Sequence, residues 1–418
     1  MLLSDSTDLM THHTGHLKIG VFDLHSEEST SSGAYSRVIM KSLSKAAQRD
    51  QDVSVYAVTA NPAGLPDGIQ ALPYMFYGRS KLHRLRRRIR LSRAHLARRQ
   101  FPDFPSSAAW WAAYRNEIDV LIPTTRVPEW DCGIPLVGWI PDFQHIHYPS
   151  LFSSEERKSR DLLFHSLASS CHRVVLSSRS AHDDYVSFAP QHAAKGTIHP
   201  FPSNYAFTPP DADPFQAIRK YNLPQKYLLV INQLWAHKNH MVLIRALGQL
   251  KSIGVEPPVV MPGMPSDYRD PSNRHLSTML QEIHCFGLHR QIFFLGHIPY
   301  ADLVSLSRSC ACMIQPSRFE GWNTSVQDAL ALGKPVICSD IPVHHEQAPD
   351  ALGFFGVDDV DGLAELIHRS WPLLAPGFNE AEEYQALSAE QAFAVKHGER
   401  LLKLCISSAL SKGARPPS

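Results

Sequence analysis

Residues 313–347 read MIQPSRFEGWNTSVQDALALGKPVICSDIPVHHEQ. Ala311–Gln315 and Pro335–Ser339 are short apolar runs beside turn residues, which predicts two strands. Between them Val326, Ala329 and Leu330 recur at helical spacing. Asn323, Thr324 and Ser325 are the small polar residues that suit a helix N-cap. Strand, turn, helix, strand is a crossover unit, and crossover units build parallel sheets covered on both faces.

The same alternation extends in both directions. Upstream in this half, strands are expected at Tyr227–Asn232, Val259–Met261 and Ile292–Leu295. In the first half they are expected at Lys18–Phe22, Asp52–Val58, Ile118–Ile122, Pro135–Ile140 and Arg173–Ser177. A Ser/Gly loop at 29–33 leads into a helix ending near Arg49, and Ser153–Ser169 carries Leu162, Leu163 and Leu167 on one side. The proline-rich stretch 199–226 interrupts the pattern and reads as an interdomain connection. Two doubly wound α/β halves follow: an N-terminal domain over 16–205, a linker at 206–226, a second domain over 227–380 and a helical tail at 381–418.

The chain has 418 residues, 44% apolar and 19% charged, enough for two to three domains with large cores. Lys and Arg number 41 against 40 Asp and Glu, so no global field draws the protein to nucleic acid or membrane. Seven scattered cysteines match no zinc spacing, and Cys310-Ala311-Cys312 reads as buried strand, so a reducing compartment is expected. The first residues lack the pattern of a signal peptide, and no apolar run is long enough to span a bilayer. A cytoplasmic location is expected. Residues 79–99 differ in holding ten Lys/Arg and no acid, with Leu82, Leu85, Ile89 and Leu96 in a narrow stripe. Such a helix suits the inner face of an anionic membrane. A solvated helix packing through its leucines, or a grip on nucleic-acid phosphates, are the other readings.

A helix N-terminus after the Glu320-Gly321 turn offers unpaired N–H groups and partial positive charge, which suits phosphate. Glu320 and Asp328 flank that site, and carboxylates there suit sugar or ribose hydroxyls, although exposed surface acids would give the same spacing. Asn232–Leu243, NQLWAHKNHMVL, leaves the first strand of the second half, where open α/β sheets bind ligands. Lys238 can reach a phosphate from that turn. His237 and His240 lack a third metal ligand at a recognised spacing and read as polar residues at a helix end.

Together these stretches resemble the family-4 retaining glycosyltransferases of GT-B fold. The resemblance rests on Gln315-Pro316-Ser317 with Phe319-Glu320-Gly321-Trp322, Asp328 eight residues after Glu320, and Ala331-Leu332-Gly333-Lys334-Pro335-Val336. Lys238-Asn239, Phe294-Leu295-Gly296-His297, and Ile341-Pro342 with Glu346 add to it. It is dense over 227–347 and looser over 17–200, where Trp139–His145 and His147-Tyr148-Pro149 look like the motif of one bacterial branch.

The resemblance implies two Rossmann-like domains facing a cleft, with the C-terminal helix packing back toward the first. It implies transfer of a sugar from a nucleoside diphosphate to an acceptor hydroxyl, with retention, without a metal or other cofactor, in glycan or polysaccharide synthesis. Glu320 would face the donor sugar and Asp328 the ribose. Lys238 and Gln233 would lie at the diphosphate, Gln233 standing where the family carries Arg. Backbone groups of Gly321, Trp322, Asn323 and Thr324 would support the phosphates. His297 and Ile298 would lie by the base, and Gly33 would line the first N-domain loop. Asp142, after Pro141 in place of a family His, and His145 would take the acceptor-side polar role; plain loop histidines at 145 and 147 are the alternative. The acceptor would be a glycan or a lipid-linked sugar. A non-catalytic sugar-nucleotide or glycan binder, a polymerising enzyme and a sugar-nucleotide epimerase remain as alternatives on the same fold.

Overall fold

The computed structural model describes residues 16–23, 30–62, 65–73, 106–128, 132–265, 267, 269–270 and 272–411. The basic segment 79–99 lies outside them. By the density of their contacts these residues form two compact units. One comprises residues up to 139 with 163–175 and 395 onward; the other comprises 140–162 and 176–394.

The first sheet contains β1 (Leu17–Phe22), β2 (Val53–Thr59), β3 (Gln70–Pro73), β4 (Val120–Thr124), β5 (Leu136–Ile140), β6 (Arg173–Leu176) and β7 (Gly196–Ile198). Their order is β3-β2-β1-β4-β5-β6-β7. The registers of β1 with β2 and with β4 are parallel, Ile19 lying opposite Val55 and Val120. The helix after β1 spans Thr30–Ala47, so the Ser/Gly stretch at 29–33 is largely helix. Gly33 therefore sits buried in its first turn, not in a loop, and its carbonyl accepts from Ser36 Oγ at 3.2 Å. Short polar side chains bond locally to the backbone, and here that bonding is compatible with the helix.

The tail forms one helix, Glu380–Leu410. Within the first unit, His397 Nδ1 lies 2.8 Å from Ser42 Oγ, and a Cβ on Gly398 would come within 2.5 Å of the Ser42 carbonyl. Glycine at 398 is what lets the two helices approach so closely.

The second sheet contains β8 (Leu228–Leu229), β9 (Val259–Pro262), β10 (Ile292–Gly296), β11 (Cys312–Gln315), β12 (Val336–Ser339) and β13 (Gly353–Phe355). Their order is β10-β9-β8-β11-β12-β13, and the recorded pairings are parallel. Alternate side chains enter different cores. Leu228, Val259, Met261, Cys312, Ile314 and Ile337 pack with Leu243, Leu247, Leu363 and Ile367. Leu229, Val260, Met313, Val336 and Cys338 pack with Leu306, Val326 and Ala329. Burial on both faces is why these strands read as continuous apolar runs rather than as an alternation.

Part of the stretch expected as a connection belongs to this core. Gln216–Tyr221 is a helix, and Ala217, Ile218 and Leu223 join the second cluster. The sequence patterns also passed over β3, β7 and β13, each four residues or fewer. The strand expected at 227–232 is regular only over Leu228–Leu229, with Tyr227 O and Val230 N bonded to the flanking segments at its two ends. No disulfide joins the seven cysteines, and six of them are buried. No helix among the described residues is long and apolar enough to cross a membrane.

Candidate functional site

In the second sheet the strand order reverses between β8 and β11, and ligands of open α/β sheets gather outside the carboxyl ends at such a switch. Both stretches singled out in the sequence leave the sheet there. From β8 the chain runs through Asn232 to a single turn, Ala236–Lys238. Asn239 follows at φ +58°, a left-handed conformation that Asn tolerates, and begins the helix His240–Ser252. Its side-chain amide donates to the carbonyls of Pro316 (3.1 Å) and Val357 (2.7 Å), tying the two turns together.

The turn after β11 carries Glu320 to Lys238. Lys238 Nζ donates to Glu320 Oε1 at 2.6 Å, with the two side chains 17% and 11% exposed. Asn323 caps the helix Thr324–Ala331, its Oδ1 accepting from Ser325 N (3.1 Å) and Val326 N (3.2 Å). Asn323 Nδ2 lies 3.4 Å from Glu320 Oε1 and 3.2 Å from His344 Nε2. Ser339 O accepts from His344 Nδ1 at 3.0 Å, so Nε2 is the acceptor, and burial lowers the pKa of this imidazole and keeps it neutral. Gln347 exchanges two hydrogen bonds with the Asn323 backbone, at 3.2 and 2.7 Å. Gln315 Oε1 accepts from Asn232 Nδ2 at 3.0 Å across the two strand ends. Cation, carboxylate and capped helix N-terminus thus form one braced polar group. His344 and Gln347 were missed in the sequence, where Asn232 and Gln315 stood only as parts of longer motifs, because their partners come from separate elements.

Gly321 has a steric reason to be glycine. An added Cβ would meet the Pro141 carbonyl at 2.0 Å and Asp142 Cβ at 2.9 Å. The 141–142 backbone therefore lies directly on the turn. Trp322 Nε1 donates to Phe201 O at 3.1 Å and holds the other side of that turn. Thr324 opens the helix, and Ser325 Oγ donates to Ile231 O at 3.0 Å.

Asp328 is held by Ser203, whose Oγ donates to it at 2.5 Å. Ser203 N donates to Glu390 Oε1 at 2.6 Å, and Gln327 Nε2 bonds both oxygens of the same carboxylate. Burial raises both acids, Asp328 to about 6 despite the Ser203 bond and Glu390 to about 7 despite its donors. Gln233 is occupied elsewhere: its Oε1 accepts from Met264 N at 2.8 Å and fixes the loop after β9. His297 is exposed after the Gly296 turn, whereas Ile298 is 8% exposed and packs in the core.

On the 141–149 stretch, Asp142 accepts from Gln144 N at 2.9 Å and lies 3.8 Å from Arg160, a capping and pairing role. His145 is 2% exposed, with Nε2 3.1 Å from Asp161 and its ring near Phe143 and Phe152. Burial lowers its pKa more than Asp161 raises it. Glu346 caps the helix Arg179–Phe188, both oxygens accepting from Arg179 N. Arg269, unremarked in the sequence, is paired with Asp267, lies over the Trp235 ring, and donates to His237 Nδ1 at 3.2 Å. Burial, with Lys238 and Arg269 nearby, keeps His237 neutral. Among the described residues no three His, Cys, Asp or Glu side chains are grouped to hold a metal ion.

Two parallel sheets of this order, with a cation and a helix N-terminus at the switch of the second, are those of a GT-B protein. Residues 213–370 match the family model for glycosyl transferases group 1. The chain is 28% identical over 160 residues to the O-antigen chain mannosyltransferase B of Escherichia coli, covering 38% of this chain and 40% of that one. It is 24% identical over 312 residues to the serotype-specific mannosyltransferase WbdA of Escherichia coli, covering 70% of this chain and 35% of that one. The matches thus span less than half the length of either relative. Among solved structures, a glycosyltransferase from Rickettsia africae superposes with a TM-score of 0.60 at 13% identity, over 95% of this chain and 99% of that one. Anabaena Alr3699/HepE, solved with UDP and glucose, superposes with a TM-score of 0.57 at 16% identity, over 94% and 100%. At these identities the likeness is one of fold.

Proposed function

We propose that this protein is a glycosyltransferase that moves a hexose from a nucleoside-diphosphate sugar to an acceptor hydroxyl in glycan or polysaccharide synthesis. The observation that carries the reading is the Lys238–Glu320 pair, 2.6 Å apart, at the capped N-terminus of Thr324–Ala331. Such transfer requires a diphosphate to leave while positive charge grows at the anomeric carbon. The helix N-terminus and Lys238 offer positive charge fixed in advance of reaction, which needs no reorganisation when charge develops. Glu320 accepts hydrogen bonds and balances Lys238, and so suits a sugar hydroxyl near the reacting carbon. Gln233 supplies no charge, leaving Lys238 as the cation of this turn.

Retention, metal independence and a front-face course, with the leaving phosphate taking the acceptor proton, belong to this reading through the family resemblance. No nucleophile is assigned. The kinship with O-antigen mannosyltransferases supports mannose as the sugar to test first. Residues 79–99 would hold the enzyme at the inner face of an anionic membrane, near a lipid-linked acceptor.

The test is thermal shift and product release with UDP-, GDP-, dTDP- and ADP-sugars, with EDTA and with magnesium, on wild type and Glu320→Ala. The expected result is stabilisation by one nucleotide, EDTA-resistant turnover, and a variant that keeps nucleotide affinity while losing most turnover. Stabilisation without any turnover would favour the non-catalytic binder, and no response to any nucleotide would reject the donor site.

A further inference from the structure

The stretch Asp142–Pro149 offers three polar side chains of similar promise in sequence, and the fold treats them differently. Asp142 is spent on the Gln144 N–H and Arg160, and His145 is buried against Asp161. His147 is exposed, its side chain 44% accessible. Its Nε2 lies 2.8 Å from Asp184 Oδ1, on the helix Arg179–Phe188. A carboxylate accepts, so Nε2 carries the hydrogen, and the bond fixes the direction in which Nδ1 can meet a second partner.

The imidazole lies on an aromatic surface. Its centroid is 5.1 Å from that of Phe319, with Tyr148 edge-on to the same ring at 6.2 Å. Tyr148 OH donates to Arg318 O at 3.2 Å, pinning the turn that leads through Phe319 into Glu320. Apolar ring faces beside one or two placed polar groups make a surface suited to a saccharide, which has apolar C–H faces and hydroxyl rims. All these residues belong to the same compact unit, and Phe319 is the chain neighbour of Glu320.

We infer that His147, oriented by Asp184 and seated on Phe319, contacts a hydroxyl of the saccharide acceptor; the inference rests on the transferase reading above. Asp184 is then a positioning residue, acting through the imidazole.

The experiment titrates α-linked mannobiose and a panel of other hexose disaccharides calorimetrically into the protein saturated with its nucleoside diphosphate. His147→Ala should weaken saccharide binding about tenfold, as for loss of one oriented hydrogen bond with its ring contact, and leave nucleotide affinity unchanged. Asp184→Ala should weaken it less, and Asp184→Asn, whose amide oxygen still accepts from Nε2–H, should restore it. A merely structural tether between the two elements predicts lower melting temperatures with unchanged saccharide affinity. That result, or a wild type that binds nucleotide but none of the saccharides, overturns the inference and leaves the transferase reading standing. A wild type that binds no nucleotide overturns the transferase reading itself.

Discussion

Replacing Lys238 with Met tests the centre of the site. The substitution keeps the length of the side chain and deletes the charge that Glu320 meets at 2.6 Å. A charge-assisted hydrogen bond contributes about 1.5–3 kcal/mol, and the low exposure of both groups limits solvent screening. Asn323 Nδ2, at 3.4 Å, would remain the nearest side-chain donor to Glu320 Oε1. A stability loss of about 1–3 kcal/mol is therefore expected, at roughly 2–4 °C per kcal/mol in the melting temperature. Turnover should fall further. Removal of one fixed donor from an anion site costs about 2.7–4 kcal/mol of transition-state stabilisation, or roughly 10²–10³ in kcat. The assay is release of nucleoside diphosphate at saturating donor, beside thermal melts of the same preparations. Lys238→Arg should recover part of the rate, because it restores charge without the same point geometry. Turnover of Lys238→Met within about threefold of wild type, in a folded protein, would refute the assignment of Lys238 to the leaving charge.

Gly321→Ala should destabilise the protein by about 1–3 kcal/mol and lower turnover, because its Cβ would overlap the Pro141 carbonyl; a normal melting temperature would contradict that contact. Glu390, raised by burial from 4.5 to about 7, contributes stability below its unfolded pKa that is lost as pH rises through 7. Glu390→Gln should accordingly melt higher than wild type at pH 8 and lose that advantage near pH 4; parallel melting curves across that range would show that the carboxyl does not titrate as placed. Replacing four arginines among Arg84–Arg90 should weaken sedimentation with anionic vesicles, each basic residue contributing about 1 kcal/mol. Equal sedimentation of variant and wild type would remove the membrane role.

The strands of the second half were legible because burial on both faces demands uninterrupted apolar runs, as in Ala311–Gln315 and Pro335–Ser339. Their spacing, the Asn323 cap and the glycine turn follow from local rules, so the crossover unit and its capped helix N-terminus were readable from residues 313–347 alone. Short strands such as Gly353–Phe355 were not, since three residues carry no period. Gly33 went astray because a Ser/Gly run permits a loop and a helix alike until neighbours decide.

Side-chain direction was decided only by tertiary structure. Nothing in the sequence distinguishes His145, turned into the protein against Asp161, from His147, turned outward onto Phe319 and Asp184. Nor does it show that Gln233 is taken by Met264, or that Asp328 is held by Ser203 beside Glu390 of the tail helix. Local sequence sets φ, ψ and the apolar period, which suffices for strands, helices and their ends. The partner that fixes a polar side chain lies tens to hundreds of residues away, and only the closed fold brings the two within hydrogen-bond reach.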